Sequence, residues 1–175
     1  MTKPALPLSL SIVEERVVFL GLASLSFAIP FALGHFQTMT GVLVNAALFI
    51  SVLLLPRRLF WPIILFPSLG VLSRGLIFGP LTSFLVYFLP FIWLGNLSLI
   101  LIFKKTYDRF GFPISALFAS VGKSIFLFSF AKLFFNFHLV PRLFLTTMGI
   151  IQLATALSGG LLAFLILKKV SHGKF

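Results

Sequence analysis

The chain has 175 residues, 59% of them hydrophobic and 10% charged, with a formal net charge of +11 and no cysteine. A mean hydropathy of +1.15 is more apolar surface than a soluble domain of this size can bury, so the protein is read as an integral membrane protein. The absence of Cys excludes disulfides, thiolate metal sites and thiol nucleophiles. The basic residues cluster at the ends of apolar segments, as orientation signals do, which argues for a membrane surface and against a nucleic-acid partner.

No linker or low-complexity tract interrupts the chain, so residues 1–175 are expected to form a single all-α membrane domain with six transmembrane helices. Residues 1–16 hold Lys3, Glu14, Glu15 and Arg16, with Pro4 and Pro7 opposing an early helix. The first span covers residues 17–34. Ala32-Leu33-Gly34 is similar to a small-residue cleavage site, but the two Glu upstream argue against a cleaved leader. In this span Ser24, Ala28 and Ala32 recur every four residues and form one smooth stripe. Such a stripe lets another helix approach closely in lipid, so it is a candidate partner-docking face.

Next comes a polar mouth, with His35, Gln37, Thr38 and Thr40, and then Asn45 inside the second span, residues 41–55, where an amide needs a partner. The third span, residues 59–73, contains Pro62 and Pro67 and is expected to be kinked or broken. Arg74 follows beside a glycine-containing turn. The fourth span, residues 81–103, carries Asn96 and ends before the charged run Lys104-Lys105-Thr106-Tyr107-Asp108-Arg109, read as a loop. The fifth, residues 112–137, contains Lys123 and Lys132. The sixth, residues 143–167, presents Gln152, Thr155, Ala156, Gly159 and Ala163 as a small and polar stripe.

With the N-terminus inside, Lys3, Arg16, Arg57, Arg58, Lys104, Lys105, Arg109, Lys168, Lys169 and Lys174 are all cytoplasmic, ten of the fourteen basic residues. Both termini are therefore expected in the cytoplasm. Ionisable residues at membrane depth point to function because they are costly to place there. Lys123 shares its helix face with Ala116, Ala119 and Ser120 and so points at other helices, where Asn96 and Gln152 lie at similar depth. None of the three acids, Glu14, Glu15 and Asp108, is expected to reach it. An uncompensated lysine there either loses its proton or awaits an anionic partner such as a bound acidic solute, and Lys123→Met is expected to abolish binding while leaving stability equal or higher. Lys132, nine residues on, faces the opposite way. Arg74, His35, Gln37 and Lys132 are further candidate donors to an anionic or polar solute on the outer side. Two outer histidines, His35 and His138, without Cys or carboxylate partners do not make a metal site. No acid pair, catalytic triad or phosphate-binding loop is present, so neither catalysis nor a cofactor is expected, and active transport would need an energising partner.

The run Gly34-His35-Phe36-Gln37-Thr38-Met39-Thr40-Gly41 with Val44-Asn45-Ala46, together with Pro67-Ser68-Leu69 and Pro90-Phe91-Ile92 to Gly95-Asn96, resembles the substrate-binding S-components of energy-coupling factor (ECF) transporters. The likeness extends over roughly residues 17–169. It implies an S-component-like bundle in a prokaryotic cell membrane that captures a vitamin or similar solute from outside. It also implies a transmembrane scaffold subunit, met by an Ala-xxx-Ala face that Ala28 and Ala32 match by type, and two ABC ATPases. On this reading His35, Gln37, Thr38, Asn45, Arg74, Asn96, Lys123, Lys132 and Gln152 are the candidate solute contacts. A ligand-free structural protein, similar in span count to the small rod-shape-determining membrane proteins, is the second reading, and a small channel or exchanger the third.

Overall fold

A computed structural model describes residues 10–33, 36–78 and 82–170 of the chain. All of its regular structure there is helical. The first helix, α1 (Ile12–Leu33), starts five residues earlier than hydropathy alone implies. A reciprocal cap accounts for this: the Ser11 backbone N–H and hydroxyl both donate to Glu14 Oε2 at 2.8 Å, and the Glu14 N–H donates back to Ser11 Oγ at 3.4 Å. Glu15 then meets Arg58 at 3.3 Å, tying the start of α1 to the turn before α3.

The second helix, α2 (Gln37–Leu54), leads through Pro56 into a 3-10 turn, Arg57–Leu59, and then into α3 (Phe60–Phe78). The expected break in the third segment does not occur. Pro62 falls in the first turn, where its missing N–H has no partner to lose, and the helix continues through Pro67. Next comes α4 (Thr82–Asn136), which absorbs the charged run 104–109 expected as a loop. Helical geometry continues to residue 110 and fails only at Gly111, whose φ of 69° and ψ of −177° suit glycine alone.

A straight helix would separate Phe91 from Phe130 by nearly 60 Å, yet their ring centroids are 4.4 Å apart. The chain folds back at Gly111 into two antiparallel arms, 82–110 and 112–136. Pro113 in the opening turn of the second arm fits that restart. A short α5 (Leu143–Met148) stops at Gly149, and α6 (Ile150–Val170) completes the chain. The single span expected over residues 143–167 is thus two helices, and the second continues three residues further.

Four described helical segments are long and apolar enough to cross a membrane: Ile12–Leu33, Gln37–Leu54, Phe84–Asn136 and Leu143–Val170. The protein is a multi-pass membrane protein by helix length and hydropathy. Many large apolar side chains face outward, among them Leu20, Leu94, Ile125, Leu161 and Leu165, as a lipid-facing surface requires.

Small residues set the tightest approaches. A Cβ added at Gly159 of α6 would stand 2.7 Å from the Val42 carbonyl oxygen and from Asn45 Cβ on α2. One added at Gly70 of α3 would collide with the Phe27 carbonyl oxygen of α1. Phe49, Phe103 and Phe112 pack as a ring cluster near the Gly111 reversal, with centroids 5.0–6.0 Å apart. A second cluster, built on Phe88, Phe91, Phe134 and Phe144, fills the space between the two arms and α5 toward the other end. Between the two lies the polar interior.

Candidate solute cavity

Three polar residues from three helical segments meet inside the bundle. Lys123, on the second arm of α4, is 3% exposed. Its ammonium donates to Asn45 Oδ1 of α2 at 2.7 Å and to Asn96 Oδ1 of the first arm at 2.8 Å. Each amide is oriented by its other end. Asn45 Nδ2 donates to the Gly41 carbonyl at 2.8 Å and reaches Thr155 Oγ1 of α6 at 3.5 Å. Asn96 Nδ2 donates to the Ile64 carbonyl of α3 at 3.1 Å. Both amide oxygens are thereby turned toward the lysine, and α2, α3, α6 and both arms of α4 join one network.

The ammonium has three N–H donors and spends two on amide oxygens. Among the described residues no carboxylate lies within ion-pair distance of it. The nitrogen is hydrogen-bonded but has no countercharge beside it among the described residues.

This cluster forms the floor of a cavity of about 230 Å³. Gln37, exposed at the start of α2, stands at the mouth, and Asn45 lies eight residues further along the same helix, about 12 Å deeper. One turn below Asn45, Phe49 and its aromatic partners seal the bundle. The walls are largely aliphatic, including Pro30, Val44, Pro67, Val71, Ile92 and Met148, with Thr40, Ser68 and Gln152 as polar interruptions. The chain contains 24 Phe, yet none of the described lining residues is aromatic.

Of the residues singled out from sequence, Gln37, Asn45, Asn96, Lys123 and Gln152 line this one cavity. Gln152 lines the wall without bonding to Lys123; Asn45 takes the place assigned to it. Thr38 and Lys132 are exposed and do not line the cavity. Arg74 is engaged elsewhere, donating to the Phe31 and Ala32 carbonyls at 2.8 and 2.6 Å. It thereby closes the end of α1, which has no basic residue in its own last turn. Thr40 assists there, its hydroxyl donating to the Leu33 carbonyl at 3.0 Å. His35 lies outside the described residues. Ser68, named from sequence only within the Pro67-Ser68-Leu69 run and not as a solute contact, also lines the wall and accepts a hydrogen bond from Trp93 Nε1. The available signal was a hydroxyl beside a proline inside an apolar span.

Ser24, Ala28 and Ala32 are all exposed. Ser24 and Ala28 line an outward-facing groove of about 590 Å³ between α1 and α3, together with Phe19, Phe27, Pro62 and Phe66. The chain matches no family model, no curated protein and no solved structure.

Proposed function

We propose that the protein is the solute-capture subunit of an ECF-type importer in a prokaryotic cell membrane, energised by a separate scaffold subunit and ABC ATPases. One observation carries this reading: a lysine at the floor of a cavity, ordered by two amide oxygens and, among the described residues, without a carboxylate partner. A charge so placed is expensive, and an anionic solute entering from the mouth would offset the cost.

The fold supports the reading in two further ways. Arg57, Arg58, Lys104, Lys105, Arg109, Lys168 and Lys169 gather at the end of the bundle near Gly111, so that end is assigned to the cytoplasm. Counting α1, α2, α3, the two arms of α4 and α6 gives six spans, and the cavity mouth then opens outside. The stripe on α1 faces outward and remains available to a scaffold helix. The solute is a small polar or anionic molecule. With no aromatic ring among the described wall residues, its body is aliphatic rather than a flat ring system needing a stacking partner.

The two short bonds to Lys123 also favour a second reading, a ligand-free structural membrane protein in which the cluster clamps helices together. Gentle purification from the native membrane followed by native mass spectrometry separates the two. The importer reading requires a retained small molecule together with scaffold and ATPase subunits. Bare protein, with neither, leaves the structural reading.

A further inference from the structure

A further recess lies on the outside of the bundle, at its basic end, between α3 and the first arm of α4. It has a volume of about 130 Å³. Ile64, Leu97, Ile100 and Leu101 form its walls, and Arg57 and Lys104 stand at its end, with Trp61 beside them. Leu97 precedes Lys104 by seven residues, so the apolar walls run about 10 Å toward the membrane centre from the charges. Leu101 and Trp61 are 53% and 55% exposed, facing where lipid must be.

The two cations are not consumed within the protein. Arg58, the neighbour of Arg57, pairs with Glu15, but among the described residues neither Arg57 nor Lys104 has a carboxylate within ion-pair distance. Two uncompensated cations at interfacial depth, a half-exposed indole and an apolar trough leading inward are matched by one kind of molecule. We propose that this groove binds an anionic phospholipid, its phosphate between Arg57 and Lys104 and an acyl chain along Ile64, Leu97 and Leu101. A free phosphate would meet the charges but leave the trough empty. The site is separate from the cavity and does not depend on what the cavity holds.

The chain has two Trp, so Trp93→Phe leaves Trp61 as the sole indole reporter in the full-length protein. In phosphatidylcholine vesicles, acyl-brominated phosphatidylglycerol should quench Trp61 with roughly thirtyfold preference over brominated phosphatidylcholine, given about 1 kcal/mol for each of the two basic residues near an anionic headgroup. Arg57→Gln with Lys104→Gln should bring the preference close to parity, whereas the charge-matched pair Lys105→Gln with Lys169→Gln should retain it. Native mass spectrometry of the unsubstituted protein, reading retained phosphatidylglycerol against phosphatidylethanolamine, gives the same answer without touching Trp93. Absence of preference in either measurement, equal loss in the control pair, or displacement by inorganic phosphate would overturn the proposal.

Discussion

Lys123 holds its position because two amides present oxygens to it, and those amides are fixed by the Gly41 and Ile64 carbonyls. This changes what removal of the charge does. From sequence, methionine at position 123 is expected to leave stability equal or higher, since an uncompensated cation would be lost. In the structure it also strands two buried carbonyl oxygens, each costing about 1–3 kcal/mol when left without a donor. Lys123→Met is therefore expected to lower stability by about 2 kcal/mol and to abolish solute retention. Thermal unfolding in detergent measures the first, and an unchanged or raised midpoint would show that the amides re-pair with each other.

At the scale of elements, the cavity depends on how closely α2 and α6 approach. Gly159 sets that distance: its substitution by Ala drives a Cβ against the Val42 carbonyl and the Cβ of Asn45. Gly159→Ala should cost about 1–3 kcal/mol and displace Asn45 from Lys123. Gly21→Ala on the exposed face of α1 meets nothing within 4 Å and should be neutral or stabilising by up to about 1 kcal/mol. Melting points of the two variants make the comparison, and equal shifts would show that the crossing is soft. The helices themselves were legible, because long apolar runs leave few alternatives. Their joints were less so. The run Lys104-Lys105-Thr106-Tyr107-Asp108-Arg109 has the charge of a loop, yet each residue tolerates a helix, and only Gly111 supplies the backbone that lets the chain reverse. The Gly149 break was missed for a related reason, since apolar residues flank it on both sides. In the cavity, Lys123 and Asn96 could be paired from sequence because both sit at mid-depth on inward faces. Asn45 could not, because periodicity fixes a face within each helix but not which neighbour that face meets.

The whole molecule joins a basic end, a polar mouth at the opposite end and one lysine-bearing floor between them. The absence of native cysteine gives introduced thiols a clean background for testing the orientation. A cysteine at Thr38 should react with an impermeant reagent added outside intact cells, and one at exposed Asp108 should not; the reverse pattern would place the mouth in the cytoplasm. The most direct test of the central claim is substitution of Asn96 by Asp. This variant puts a carboxylate where an amide oxygen now lies, 2.8 Å from Nζ, so the lysine gains an internal countercharge with almost no change of shape. The ion pair offsets the lost donor to the Ile64 carbonyl, and the fold should persist. The measurement is native mass spectrometry of wild type and Asn96→Asp purified side by side from the same host membrane. Capture of an anionic solute at Lys123 requires a small anionic molecule retained by the wild type and absent from a folded Asn96→Asp protein. The same molecule on both, or none on either, would contradict it.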